Sequence, residues 1–248
     1  MRENRMSAGT SNPATKFLTW KSEHQKFAYW DKVEKTNVFV EMPIKFLALS
    51  KYKTIKGWNQ KKEGAIISNE VKSLKDEFVV NFYKKGDRQE IARGPWNEIK
   101  ETVESWGGKY VESVYVMLPG GEVVNLHLSG ASLSTWFEFQ NNQTSRFFDE
   151  WVVVNGFKEG KSGAVKFTYP VFEWGGKIGK LDSADAQNAD VLIAGYEASY
   201  FQEVNPKRER VDAAINMVAK TFEATRQPTP PPSADREYFD YDPDDLGF

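Results

Sequence analysis

The richest concentration of residues suited to binding chemistry is Lys51-Tyr-Lys-Thr-Ile-Lys-Gly-Trp-Asn-Gln-Lys-Lys62, with five lysines, two large aromatic rings and no acid. Lys51, Lys53, Lys56, Lys61 and Lys62 can follow a chain of phosphates and release its counterions, while Tyr52 and Trp58 offer flat faces on which any base can stack. That mixture suits a single-stranded nucleic acid bound without sequence readout. The competing interpretation is a solvated loop whose Tyr52 and Trp58 fold back onto the core. A second cluster, Phe82-Tyr83-Lys84-Lys85, is followed by Arg88 and Arg93 across a Gly-Asp turn and then by Trp96. Strand alternation would set Phe82 and Lys84 on one face and Tyr83 and Lys85 on the other, so one of the two rings is expected in the core.

Other chemistry is poorly supplied. The chain has no cysteine and only two histidines, His24 and His127, so disulfides and thiolate metal sites are excluded, and a zinc centre or a histidine-dependent triad would hang on one of two residues. Gly175-Gly-Lys-Ile-Gly-Lys-Leu181 falls short of a phosphate loop: three residues separate Gly175 from Gly179 where four are required, and Leu181 stands where a magnesium-binding hydroxyl belongs. Asn142-Gln-Thr144 forms a glycosylation sequon, but no apolar signal segment precedes it. Glu138, Asp149 and Glu150 lie near aromatics without the readable pairing of a sugar-cleaving site and are expected as surface acids. No catalytic residue, metal or cofactor is expected.

The carboxyl end carries the most specific signal. Gln227 to Ser233 is a proline-rich spacer, and beyond it six acids face the single base Arg236. The tail therefore holds −5 of a chain whose total is −2, which leaves +3 for residues 1–226. Asp242, Asp244 and Asp245 can attract a basic partner, and Leu246 and Phe248 can enter an apolar pocket. The tip Asp244-Asp245-Leu246-Gly247-Phe248 resembles that of the acidic-tailed single-stranded DNA-binding proteins of bacteria and their phages, which commonly reads acid, acid, aliphatic, small residue, Phe. Gly247 stands where bacterial tips usually have Pro. The resemblance is best to a phage-type member. It implies an OB-fold body that coats single-stranded DNA and a tail that recruits replication, recombination or repair proteins.

Several elements must position these groups. Asn37 to Leu49 reads as a strand with Pro43 at an edge or bulge, Lys51 to Gly64 as a polar loop, and Glu77 to Tyr83 with Gln89 to Arg93 as a hairpin. Pro95 opens a helix through Trp106, with Trp96, Ile99 and Val103 at helical spacing and Gly107-Gly108 as its stop. Lys109 to Leu118 and Glu122 to Leu128 form a second hairpin, Ser132 to Gln140 a helix, and Trp151 to Phe157 with Ala164 to Phe172 another strand pair. Ser183 can cap a third helix, and 206–225 supports a fourth.

The expected fold is α+β and predominantly β: an OB-fold-like five-stranded barrel with helical insertions and C-terminal helices. Three regions are expected: a disordered segment over 1–15, the nucleic-acid-binding domain over 16–226, and the linker and acidic tail over 227–248. No run of residues is long and apolar enough to span a membrane, and a cytoplasmic protein is expected, in the host if phage-encoded. The expected activity is non-enzymatic binding of single-stranded DNA, with partner proteins recruited by the tail and with homo-oligomers left open. The alternatives are a carbohydrate- or protein-binding module, and a phage structural or assembly protein with a docking tail.

Overall fold

Alternating apolar and polar residues, punctuated by glycine turns, build most of this chain into paired strands. The computed structural model describes residues 12–141 and 144–204. Among them eleven strands and three α-helices follow in order: β1 (Phe17–Lys21), β2 (Lys26–Asp31), β3 (Thr36–Phe39), β4 (Ile44–Asn59), β5 (Gly64–Ser68), β6 (Phe78–Lys84), β7 (Asp87–Gly94), α1 (Trp96–Trp106), β8 (Gly108–Met117), β9 (Val123–Leu128), α2 (Ala131–Gln140), β10 (Glu150–Ser162), β11 (Val165–Lys177) and α3 (Lys180–Val204). A short 3-10 turn, Thr144–Phe148, leads into β10. The fold is α+β and predominantly β.

The strands pair in the order β3-β2-β1-β9-β8-β4-β5-β6-β7, with β10 joined to the start of β4 and β11 to β10. Every ladder is antiparallel except that between β1 and β9. A five-stranded closed barrel is not seen: the sheet has eleven strands and stays open. β4 and β8 pair directly, although β5 to β7 lie between them in the sequence; β5 to β7 extend the sheet from β4, and β1 to β3 extend it from β9.

Three further expectations change. Asn37 to Leu49 is not one strand, because β3 ends at Phe39 and β4 begins at Ile44 after the cis Met42-Pro43 peptide. Lys51 to Asn59 is not a loop but the second half of the 16-residue β4, because Tyr52, Thr54 and Ile55 are buried and hold the backbone in the sheet. Lysines disguised this strand: their heads sit at its edges and surfaces while the residues between them supply the packing. The hairpin of β8 and β9 and the pair of β10 and β11 match the alternation in the sequence. Helix α1 begins after Pro95 and stops at Gly107, whose φ of 93° is the left-handed conformation that glycine adopts without steric cost. Helix α3 starts at Lys180 rather than near Ser183, with the Gly179 amide donating to Asp182 Oδ2 at 3.2 Å. Residues 1–11, the helix expected over 206–225 and the tail over 227–248 lie outside the described residues.

Side-chain alternation and register divide the sheet into two faces. On the inner face Phe46, Val114, Leu126, Val152 and Phe172 surround Trp136 of α2. Farther along the same face Ile55, Ile66, Val80 and Phe82 pack on Ile99 and Val103 of α1. Each such aliphatic or aromatic side chain contributes about 1.5–3 kcal/mol by leaving water. The outer face is covered only in part, where Ala186, Ala189, Ile193 and Tyr196 of α3 lie over Tyr52, Tyr115, Met117 and Val123. Asn12 to Thr15 join this region: Asn12 Nδ2 donates to Tyr115 OH at 2.8 Å, and the Thr15 amide to the Val123 carbonyl at 3.0 Å.

Candidate nucleic-acid interface

Beyond α3 the outer face is open, and the sheet register sets aromatic and cationic side chains in rows across it. One row runs Trp58, Ala65, Tyr83, Arg88 over β4, β5, β6 and β7. The next runs Lys109, Lys56, Ile67, Asn81, Glu90 from β8 to β7. Residues opposite one another in a ladder point to the same side, so Trp58 and Tyr83 share a surface two strands, or roughly 10 Å, apart. Trp58 is 52 % exposed and Ile67 41 %. Tyr83 is half-buried, and Lys109 and Arg88 are exposed.

On the other side of β8 the same face continues through His127 of β9 to Phe17 of β1. Phe17 is 41 % exposed and stacks on His127, with ring centroids 5.3 Å apart and planes 30° apart. Lys56 Nζ lies 5.3 Å from the centre of the Phe17 ring. Burial lowers the Lys56 pKa and Glu70 opposes that shift. Burial, with Lys56 nearby, holds the His127 imidazole well below its usual pKa, so the ring is neutral at pH 7. His127 Nε2 is buried and has no hydrogen-bond partner. Trp30 of β2, 57 % exposed, also belongs to the outer face by its alternation with Ala28, which pairs with Thr19.

Four residues read from the sequence as a binding site, Lys56, Trp58, Tyr83 and Arg88, therefore come together on this surface. Arg88 is steadied there by donating from Nε to Asn81 Oδ1 at 2.9 Å. Lys61, Lys62 and Lys85 sit in the adjoining turns, Lys62 with its Nζ 3.8 Å from the Trp106 ring and Lys85 in a left-handed conformation with φ 50°. Lys84, opposite Asp87, follows Phe82 in alternation and belongs to the inner side. Lys51 and Lys53 also alternate onto the inner side: Lys51 Nζ donates to Gln140 Oε1 at 3.0 Å and Lys53 Nζ to the Lys72 carbonyl at 3.1 Å. Arg93 is committed to Glu77 and Glu90 at 2.9 and 2.6 Å, which raises its pKa and offsets its charge. Tyr52 is 1 % exposed beneath α3, its hydroxyl bonded to Glu197. The tail residues Asp242, Asp244, Asp245, Leu246 and Phe248 lie outside the described residues.

Sequence reasoning missed Phe17, Ile67, Lys109 and His127 as members of this surface. Three of them sit on strands distant in sequence from the lysine-rich segment. For His127 a signal existed, because alternation along β9 sets it on the same side as Asn125 and opposite the core residues Leu126 and Leu128. What the surface can do chemically is stack flat rings and neutralise anions; its one exposed carboxylate in these rows, Glu90, is already paired. Comparison with known protein families, with curated proteins and with solved structures found no match.

Proposed function

We propose that this protein binds single-stranded DNA with little sequence preference and recruits replication, recombination or repair proteins through its acidic tail. The observation that carries the proposal is the open outer face, where Phe17, Trp58 and Tyr83 offer rings and Lys56, Lys109 and Arg88 offer positive charge on one rigid sheet. A single strand needs both components, because stacking on a ring accepts any base while cations follow the phosphates. Rings carried by strands are held in place before the ligand arrives, which lowers the ordering cost of binding.

The same proposal extends to an OB-like unit inside the larger sheet. We read the long β4 as its first strand, β8 and β9 as the second and third, α2 as the helix that follows, and β10 and β11 as the last two. The ladders β4-β8, β8-β9, β4-β10 and β10-β11 agree with that order. The remaining junction, between β9 and β11, is filled by β1: it pairs with β9, and Trp20 Nε1 donates to the Thr168 carbonyl of β11 at 2.9 Å. The outer side of β8 and β9, beside the insertion of β5 to β7, would be where an OB-type unit takes an oligonucleotide. On this proposal the protein works in the cytoplasm, in the host if phage-encoded. Among the described residues no helix is long and apolar enough to cross a membrane.

Binding of the whole protein to fluorescent oligo-dT across a salt series tests the proposal. Affinity should fall steeply with salt, and removal of Asp235 to Phe248 should tighten binding at low salt, since those acids compete for the same cations. An affinity that does not change with salt, or no binding at any salt, would sink it. Salt-independent binding of an oligosaccharide would favour instead a carbohydrate module built on the exposed Trp30 and Trp58 rings.

A further inference from the structure

Helix α3 lies on the outer face next to the rings and cations described above, and polar groups do much of the holding. The Glu70 carboxylate accepts hydrogen bonds from Ser113, from Tyr115 at 3.1 Å and from Tyr196 of α3 at 3.0 Å, and the Glu70 amide donates to Tyr200 OH at 2.7 Å. Glu197 of α3 accepts from Tyr52 and pairs with Lys72 at 3.1 Å. The apolar side of the contact sets Ala186, Ala189, Ile193 and the rings of Tyr196, Tyr200 and Phe201 against the sheet, with the Phe201 ring centroid 5.5 Å from that of Tyr52. The helix meanwhile leaves Leu181, Val191 and Leu192 exposed at 86, 71 and 55 %, so it does not turn all its apolar surface inward. Beneath it the rings of Tyr52 and Tyr115, with centroids 5.6 Å apart, are fully buried.

Glycines lie at the end of β11 and immediately before α3. Gly176 has φ 83°, a Cβ there would meet nothing within 4 Å, and Gly175 and Gly179 flank it. The segment that falls short of a phosphate loop in the sequence thus lies where a hinge would be needed. The helix also carries five acids, Asp182, Asp185, Asp190, Glu197 and Glu203, against the single base Lys180, so it would repel a phosphate chain laid on the same face.

We propose that α3 is a strap that swings off the outer face when single-stranded DNA binds, adding Tyr52 and Tyr115 to the stacking surface. This rests on the outer face being the DNA-binding surface. Phosphates drawn to Lys56 and Lys109 repel the acids of α3, and the uncovered rings give the strand contacts that exist only in the open state. That difference in contacts between the two states is what allows the ligand to shift the equilibrium.

Hydrogen-deuterium exchange of the full chain, alone and saturated with oligo-dT at low salt, tests the strap. Amides of Ala184 to Tyr200 should exchange about tenfold faster in the complex, because the helix loses its packing partner. Unchanged or stronger protection there, with oligo-dT bound, overturns the strap and leaves the DNA-binding surface standing. Absence of oligo-dT binding overturns both. The variant Glu197→Gln, which weakens the hold on Tyr52 and Lys72, should raise oligo-dT affinity about three- to tenfold and cover more nucleotides per protein. Unchanged or lower affinity in that variant, with its fold verified by circular dichroism, also counts against the strap.

Discussion

Trp58 and Trp136 are the same residue type put to opposite uses. Trp136 is 1 % exposed at the centre of an aromatic cluster with Phe46, Phe139, Phe147 and Phe172, and Trp136→Ala should cost about 3–5 kcal/mol of stability in urea unfolding. Trp58 is half-exposed on the outer face, so Trp58→Ala should leave the urea midpoint nearly unchanged. The same change should weaken oligo-dT binding by about 1–3 kcal/mol, since one stacking ring is lost. Unaltered binding by a stable Trp58→Ala protein would remove this ring from the surface. His127 makes a different prediction. Its folded pKa is depressed, so below the ordinary value of 6.5 the unfolded chain takes up a proton that the folded protein resists. Stability therefore has its full His127 contribution above that pH and loses it as pH falls from about 6.5 toward the depressed folded value. Urea midpoints measured from pH 7 to 5.5 should decline in the wild type and decline less in His127→Gln.

At the scale of elements, β4 organises the molecule, since it meets β10 at its start, β8 along its length and β5 at its end. Its course depends on close approach at Gly57. A Cβ there would lie 2.2 Å from the Gly107 carbonyl oxygen and 2.7 Å from Gly108 Cα, both backbone atoms with no freedom to turn aside. Gly57→Ala is expected to destabilise by about 1–3 kcal/mol or more and to disturb the row that holds Trp58, read as a lower urea midpoint together with weaker oligo-dT binding. The segment around Gly57 also shows why part of the site was legible and part was not. The pairing of rings with lysines along Lys51 to Lys62 is visible in composition. It did not reveal that Lys51, Lys53 and Tyr52 leave the surface that Lys56 and Trp58 keep, because face is set by register with β8 and β5 and by what covers the strand. Alternation alone cannot say which side of a strand is covered when both sides carry apolar residues. Helix α1 was readable because its proline start, apolar spacing and glycine stop are all local.

Over the whole molecule, charge is divided between a tail that holds all of the net negative balance and a body of +3. Among the described residues Lys56, Lys109 and Arg88 of the open surface form no salt bridge, so under the proposed function the slope of log affinity against log salt should reflect the phosphates they displace. Each one lost, as in Lys109→Ala or Arg88→Ala, should reduce that slope by about 0.7 for a single strand. Arg93→Ala should change it less, because Glu77 and Glu90 already offset that charge. A slope unaffected by Lys109 and Arg88 but lowered by Arg93 would place the phosphates elsewhere.

The sequence alone determined the local features: strand-rich composition, hairpins at glycine turns, the bounds of α1, the basic and aromatic segments, and the acidic composition of the tail. Each depends on neighbours within a few residues, where steric preference and periodicity act directly. Tertiary structure decided that the sheet has eleven strands rather than five, that Phe17 and His127 join Trp58 and Tyr83 on one face, and that α3 rests over Tyr52 and Tyr115. These are agreements between segments as far apart as Tyr52 and Glu197, 145 residues, and they depend on which surfaces bury one another most favourably. Local spacing carries no record of that competition.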